Sequence, residues 1–217
     1  MTLLDRKEIA DYVKENNLYV MKDSDIDKYA ECLAESFQNY PLFDYFANNK
    51  YDVEKMKKFW KVTLNMCKDK YLCMSNGPDA TAVFICVPPN CKSFNTLQYI
   101  LNGGLKIVYN FGIKGIKRML SFESYSDKVR EKYSDGDTWY LYTLCVKPEY
   151  RGQKYGGALM KAALGLIDRL EETAYLETFK EVNVEIYKHY GFELKDTAQV
   201  PNTDLTMYSM VYEPKKK

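Results

Sequence analysis

The sequence lacks long apolar runs, an excess of either charge, and any metal-binding motif. It has no stretch of about 18 consecutive apolar residues, so we expect neither a membrane span nor a membrane partner. Its 217 residues include 31 basic and 30 acidic side chains, for a net charge of +1. That balance gives no electrostatic reason to expect nucleic acid as a partner. The N-terminal segment becomes charged too early for a secretory signal.

Residues that commonly bind metal ions or form disulfide bonds are also scarce. The single histidine is His189, and none of the six cysteines forms a Cys-x-x-Cys pair. This spacing favours neither a zinc site nor a disulfide framework, and we expect no metal. We expect the cysteines to be reduced and buried as small apolar residues, and we therefore expect a cytoplasmic protein.

One strand–loop–helix segment organises the second half of the chain. Residues 138–146 are mostly β-branched and aromatic and follow a turn, which predicts a strand. From Leu159 to Leu170, apolar residues recur at helical spacing, which predicts an amphipathic helix. The two elements are joined by a glycine-rich loop.

This loop has the composition of a phosphate-binding turn. The first N–H groups of a helix have no partner within the helix, and the helix dipole adds positive charge there. Glycines let the backbone approach a ligand closely. The predicted ligand-binding residues are Arg151, Gly152, Gln153, Lys154, Tyr155, Gly156 and Gly157. A tight turn whose charged side chains are merely solvated is the alternative interpretation.

The other segments predict an α+β fold in a single domain over residues 1–217. Two strand-like runs, 71–74 and 81–87, flank turn residues and predict a hairpin. A helical insertion is expected at about 93–135, broken into pieces by its glycines, Gly103, Gly104, Gly112 and Gly115. The strands on either side of the loop helix should be parallel, because a helix joins them. Residues 39–46 are predicted to be an aromatic-rich loop or turn, and the chain should end in a hairpin.

A second informative segment lies near the C-terminus. Asn183 is a suitable N-cap for a short helix, Tyr187 lies one turn further on, and Gly191 allows the chain to turn into a strand. Taken alone, a capped helix with a packed tyrosine is the simpler interpretation. The exposed side of this helix should carry His189.

Together the two segments resemble the GNAT superfamily of acetyl-CoA-dependent N-acetyltransferases. The family's central strand ends in Val-x-Pro and is followed by Arg/Gln-x-x-Gly-x-Gly/Ala, which corresponds to residues 146–148 and 151–157 here. The second family motif, Asn-x-x-x-Tyr-x-x-x-Gly-Phe, is matched by Asn183, Tyr187, Gly191 and Phe192. The resemblance covers about residues 139–212. Ala34-x-x-Phe37 and the helical insertion look like the branch that contains puromycin-type acetyltransferases.

The resemblance implies a mostly antiparallel sheet, flanked by helices, whose central parallel pair splays apart to hold the coenzyme. It implies acetyl-CoA as co-substrate, with the glycine-rich loop on the pyrophosphate. The remaining coenzyme-binding residues that it implies are Leu144, Cys145, Val146 and Asn183. Tyr187 would protonate the departing thiolate.

The general base and the acceptor pocket are less closely specified by the resemblance. Glu177 is the candidate base, Glu123, Asp137 and a chain of water molecules are open alternatives, and a structural role for Glu177 is the simpler interpretation. The residues expected to bind the acceptor are Phe37, Tyr40, Phe43 and Tyr142. Tyr142 stands where the puromycin-type branch often has a glutamate, and Lys154 stands where the family usually has its first glycine. The loop should tolerate Lys154 if this residue does not need a positive φ.

These observations predict transfer of an acetyl group from acetyl-CoA to a primary amine by direct attack in a ternary complex. A small-molecule amine is the expected acceptor, and the protein is expected to be a monomer or homodimer. The alternative is a catalytically degenerate acetyl-CoA-binding sensor or interaction module of the same fold. A dinucleotide-dependent oxidoreductase is disfavoured because the loop lacks Gly-x-Gly-x-x-Gly and follows a hairpin.

Overall fold

The computed structural model describes residues 6–91, 96–103 and 105–214 of the chain. The helices are α1 (Lys7–Glu15), α2 (Ile26–Ser36), α3 (Pro41–Phe46), α4 (Val53–Cys67), α5 (Thr96–Gly103), α6 (Leu105–Tyr133), α7 (Tyr155–Leu170) and α8 (Glu181–His189). The strands are β1 (Tyr19–Val20), β2 (Leu72–Ser75), β3 (Ala82–Val87), β4 (Thr138–Val146), β5 (Thr173–Thr178), β6 (Glu193–Gln199) and β7 (Thr206–Tyr212). Within these described ranges, no helix is long and apolar enough to cross a membrane.

The strands form one sheet in the order β1-β2-β3-β4-β5-β7-β6. Neighbouring strands are antiparallel except β4 and β5, which are parallel because α7 returns the chain to the same end of the sheet. The two predicted hairpins are β2–β3 and β6–β7, and the second inserts β7 between β5 and β6. The predicted α+β class, with a central parallel pair in a mostly antiparallel sheet, is confirmed.

Two apolar layers cover the two faces of the sheet. Helices α2, α3 and α4 pack on one face, where the largest buried side chains include Tyr29 and Trp60. Helices α1 and α7 pack on the other face, around Ile9 and Trp139. Burying one large apolar side chain contributes about 1.5–3 kcal/mol, so these layers hold the sheet between the helices. Five cysteines are buried and Cys91 is partly exposed.

The segment predicted to be an aromatic loop, 39–46, is instead mostly helical. Helix α3 begins at Pro41, whose fixed φ suits the first helical turn and whose missing N–H is not needed there. Phe43 and Phe46 are both buried on one side of this short helix. Tertiary burial of these rings explains why a segment with turn-like composition is helical.

The predicted N-cap of the last helix is also wrong. Helix α8 begins at Glu181 after Lys180, so Asn183 is already the third helical residue. The Asn183 side-chain amide donates to Thr178 Oγ1 at 2.9 Å. Because β5 ends at Thr178, this bond fixes α8 to the end of the strand.

In the described residues, the helical insertion consists of α5 and of two helical pieces of α6 that meet at Gly112. Residues 93–95 and Gly104 of the prediction lie outside the described ranges. Gly112 interrupts the path of α6 with a φ of 66°, which a glycine adopts at little cost. Gly115 does not break the helix and is buried where α6 crosses the end of α3.

We expect Gly115→Ala to destabilise the protein by about 1–3 kcal/mol, because it overpacks this crossing. An added methyl group would lie 2.8 Å from the backbone oxygen of Phe46, which cannot swing aside. Gly165→Ala in α7 is the control, since its nearest neighbour is the hydroxyl at the far end of the Tyr12 side chain. Urea unfolding should give a clearly smaller loss for the control. Equal losses would mean that the α3–α6 crossing is not tightly packed.

Candidate active site

The parallel strands β4 and β5 separate soon after they begin to pair. Their register runs only from Thr138 opposite Thr173 to Tyr140 opposite Tyr175. Beyond this point β4 stays paired with β3 and β5 stays paired with β7. Residues 141–146 of β4 therefore have no strand partner on the β5 side in the described register. An extended ligand could satisfy such backbone groups as an added strand would.

A β-bulge lies in β4 at the point of separation. Ile85 of β3 is opposite Thr143, but the next residue, Cys86, is opposite Leu141, so Tyr142 is the extra residue. A bulge bends its strand and redirects side chains. The rings of Tyr140 and Tyr142 lie 5.7 Å apart and both face the layer formed by helices α2–α4.

A cavity of about 210 Å³ lies where the strands part. Eight residues predicted for the site line it: Phe37, Tyr40, Phe43, Tyr142, Leu144, Glu177, Asn183 and Tyr187. Lining residues that the sequence reasoning missed include Phe122, Ser126, Arg130, Tyr140 and Phe179. The alternation along β4, which puts Tyr140 on the same side as Tyr142, could have identified Tyr140. The contribution of α6 had no local signal.

Tyr187 projects from α8 into this cavity and is partly buried. Burial raises the pKa of its hydroxyl, and the nearby Tyr40 raises this pKa further. Tyr187 is therefore protonated at neutral pH, as a proton donor must be. The Tyr40 hydroxyl accepts from the backbone N–H of Phe179 at 3.2 Å and lies 3.2 Å from Thr178 Oγ1. Tyr40 thus fixes the residues before α3 to the start of α8.

Glu177 lies on β5 with its carboxyl group among hydroxyl groups. Ser126 Oγ lies 2.9 Å from both carboxyl oxygens. The Tyr140 hydroxyl donates to Oε1 at 3.1 Å and the Tyr175 hydroxyl to Oε2 at 3.2 Å. Burial raises the pKa of Glu177, whereas the hydrogen bond from Ser126 and the positive charge of Arg130 lower it. A carboxylate with a raised pKa is a stronger base than an exposed one.

The alternative bases occupy different positions. Glu123 lines the same cavity, whereas Asp137 lies in the exposed turn before β4, where its N–H donates to Asp135 Oδ1. His189 is exposed on α8, as expected. In the described part of the chain, no group of three or more histidine, cysteine or acidic residues could hold a metal ion.

The glycine-rich loop joins the end of β4 to the start of α7. Residues 151–154 are exposed, and no side chain within the described residues caps the N-terminus of α7. Gly156 lets the helix approach the strand, because an added Cβ would lie 3.2 Å from Val146 Cγ2. At Gly157, an added Cβ would lie 2.6 Å from the Tyr190 hydroxyl. The first amides of α7 are therefore close to β4 and open to a ligand.

Two charged residues of this loop differ from expectation. Lys154 adopts a φ of 65°, so the loop does need a left-handed residue there, and a lysine supplies it. The Arg151 guanidinium is not free in solvent, because it donates to Ser36 O at 3.1 Å and to Val146 O at 3.4 Å. Arg151 thus ties the loop to the C-terminal end of α2.

We expect Lys154→Gly to stabilise the protein by about 0.5–1 kcal/mol. Relief of the left-handed conformation is worth about 1–2 kcal/mol, and the greater freedom of glycine in the unfolded chain offsets part of it. Urea unfolding would measure the change. Lys154→Ala, which removes the charge but keeps the Cβ, is the matched control and should not stabilise. Stabilisation by both variants would point to charge repulsion in the loop.

A search of curated proteins gave no match to this sequence. Residues 123–194 match the family model of the acetyltransferase (GNAT) domain. This region includes the last part of α6, the parting strands, the loop, α7 and α8.

Solved structures with the same fold cover nearly the whole chain. A Corynebacterium glutamicum protein described as histone acetyltransferase HPA2 and related acetyltransferase has 16% identity and a TM-score of 0.64, covering 92% of this chain and 97% of that one. The polyamine N-acetyltransferase of Drosophila melanogaster has 12% identity and a TM-score of 0.61, covering 90% and 98%. A mosquito protein described as arylalkylamine N-acetyltransferase like 5b has 14% identity and a TM-score of 0.58, covering 90% of this chain and 98% of that one.

At these identities the structural likeness establishes the fold, and the family model adds the sequence pattern of the site. The chain therefore has the fold of these acetyltransferase structures, and residues 123–194 match the GNAT domain model.

Proposed function

We propose that this protein transfers the acetyl group of acetyl-CoA to a primary amine of a small molecule, by direct attack in a ternary complex. The observation that carries the proposal is the parting of β4 and β5 after Tyr140. It opens one gap that is bordered by an unpaired strand edge and by the side chains of Tyr187 and Glu177.

The chain offers groups suited to each part of the coenzyme. In this proposal, the amides of residues 151–157 bind the diphosphate, helped by the dipole of α7. The backbone groups of Leu144, Cys145 and Val146 pair with the extended pantetheine arm. Since the Asn183 amide bonds Thr178, we assign it the role of orienting α8. Bound acetyl-CoA supplies a thioester whose carbonyl carbon is open to attack.

Tyr187 is proposed to act as the general acid. It donates its hydroxyl proton to the departing sulfur and recovers a proton from the newly acylated nitrogen. An ordinary tyrosine has a pKa of about 10 and a thiol about 8.5, so the transfer to sulfur alone is uphill, and recovery of the proton from the acylated nitrogen completes it. Burial raises the pKa of Tyr187, which keeps this proton donor protonated at neutral pH.

Glu177 is proposed to act as the general base. An amine reaches the enzyme mostly as an ammonium ion and must lose a proton before its lone pair can attack. Glu177 lines the acceptor cavity, and burial raises its pKa. Both properties suit a carboxylate that accepts this proton.

The walls of the cavity favour an acceptor with an apolar or aromatic part. Phe37, Phe43 and Trp60 form one packed group, with ring centroids 4.8–5.9 Å apart. Structures of the same fold include proteins named for arylalkylamines and for polyamines. We place an aromatic or alkyl amine in this cavity.

A cytoplasmic location, a single domain over residues 1–217 and a monomeric or homodimeric state belong to the same proposal.

Release of free thiol from acetyl-CoA tests the function directly. Purified protein would be mixed with acetyl-CoA and, in turn, a phenylethylamine, an aliphatic diamine, an amino acid and a peptide with a free N-terminus. We expect thiol release with at least one small amine, and most readily with the arylalkylamine. Tight coenzyme binding in a thermal-shift assay, without thiol release from any amine, would instead support the non-catalytic sensor.

A further inference from the structure

Hydroxyl groups surround both oxygens of the Glu177 carboxylate. A carboxylate offers about four lone-pair sites, two on each oxygen. Ser126 and Tyr140 approach Oε1, while Ser126 and Tyr175 approach Oε2. An amine that approaches Glu177 competes with these hydroxyls for its oxygens. A hydroxyl already bonded to Glu177 is therefore well placed to pass a proton to it.

Only some of these hydroxyls belong to residues that meet the acceptor. Ser126 and Tyr140 line the cavity, whereas Tyr175 does not and is completely buried. Ser126 is itself 4% exposed, and its one proton is shared between two carboxyl oxygens. Tyr140 is partly exposed and is the last residue of β4 that pairs with β5. It therefore lies where the coenzyme gap and the acceptor cavity meet.

We propose that Tyr140 is a catalytic residue that relays a proton from the acceptor ammonium to Glu177. This inference rests on the proposed acetyl transfer. The ammonium N–H proton moves to Tyr140 Oη while the hydroxyl proton of Tyr140 moves to Glu177 Oε1. Nitrogen keeps the electron pair of the broken N–H bond as the lone pair that attacks the thioester. Glu177 becomes neutral, Tyr140 regains its starting form, and Glu177 later releases the proton to solvent.

Arg130 is placed to assist this relay. Its guanidinium lies 4.6 Å from the centre of the Tyr140 ring and pairs with Asp127. Burial and the charge of Glu177 raise the pKa of Tyr140, and the charge of Arg130 opposes that rise. Arg130 thereby stabilises negative charge that develops on the Tyr140 oxygen while the two protons move.

The test compares two tyrosines that bond the same carboxylate from nearly equal distances. Tyr140→Phe and Tyr175→Phe each remove one hydroxyl from Glu177, so each changes its basicity in a similar way. Only Tyr140 meets the cavity. We expect Tyr140→Phe to lower kcat/KM for the amine by about 100-fold or more, as loss of an acid–base group does. The Tyr175 variant should stay within about threefold of wild type, and both should bind coenzyme A normally.

A second replacement guards against misfolding of Tyr140→Phe. Introducing 3,5-difluorotyrosine at position 140 keeps the hydroxyl but lowers its pKa. We expect an active enzyme whose pH profile of kcat/KM loses activity at a lower pH on its alkaline side. An active fluorinated enzyme with an unchanged profile would overturn the relay.

The outcomes separate this inference from the function on which it rests. An active wild type together with equal losses in the Tyr140 and Tyr175 variants would overturn the relay alone, because both tyrosines would then act only on Glu177. A wild type that releases no thiol with any amine would overturn both the relay and the acetyl transfer. A selective loss in the Tyr140 variant supports both.

Discussion

Replacing Tyr187 by phenylalanine is expected to lower kcat about 100- to 1000-fold at neutral pH, the usual range for loss of a general acid. The ring should keep its contact with Phe192, whose ring centre lies 5.9 Å away, so α8 should stay in place. The KM for acetyl-CoA should therefore change little. Initial rates of thiol release, measured with varied coenzyme and saturating amine, separate the two parameters.

Tyr212→Phe is the matched control for that experiment. The Tyr212 hydroxyl donates to Asp168 Oδ1 at 2.7 Å, and Tyr212 does not line the cavity. This variant should lose some stability but keep kcat. Full activity in the Tyr187 variant would mean that water or another residue donates the proton.

Replacing Glu177 by glutamine is expected to lower kcat/KM for the amine by about 100-fold or more at neutral pH and to change its pH dependence. The folded protein raises the pKa of this carboxyl by burial. Below that pKa Glu177 is protonated and cannot accept a proton, so wild-type activity should fall as the pH drops through it. The glutamine variant should lack this inflection. Its rate should instead rise about tenfold per pH unit with the fraction of free amine, up to the pKa of the acceptor.

Glu123→Gln is the control for Glu177, because Glu123 lines the same cavity. We expect the acidic side of its profile to match that of wild type. If the inflection disappears in the Glu123 variant and persists in the Glu177 variant, the base is Glu123. Circular dichroism and thermal unfolding of both proteins would verify that each variant is folded before the rates are compared.

Several parts of the fold could be predicted because their signals are local. The hairpin β2–β3 has turn chemistry between two strand-like runs, and its antiparallel pairing is confirmed. The bounds of β4 match the predicted segment, 138–146. The parallel pairing of β4 with β5 followed from the helix between them. In each case a short stretch of chain contained all the information that the prediction needed.

Errors arose where distant contacts outweighed local composition. Residues 39–46 looked like a loop, but burial of Phe43 and Phe46 against other helices makes them helical. Asn183 has the properties of an N-cap, yet it lies inside the first turn of α8, where its side-chain amide donates to Thr178 Oγ1. Lys154 occupies a left-handed position that local preference would give to glycine. Such preferences are worth about 1 kcal/mol, and packing of a few rings exceeds this.

The sequence by itself determined the α+β class, the glycine-rich entry to α7 and the position of Tyr187, because periodicity and turn chemistry are properties of neighbouring residues. Only the tertiary structure decided what surrounds Glu177. Its hydroxyl partners Ser126 and Tyr140 are 51 and 37 residues away in the chain. They meet because β4 pairs with β5 and α6 brings Ser126 next to Glu177, and no local sequence pattern predicts these contacts. The protonation state of a buried carboxyl group depends on these neighbours. The acid–base chemistry of Glu177 is therefore a property of the tertiary structure and not of the local sequence.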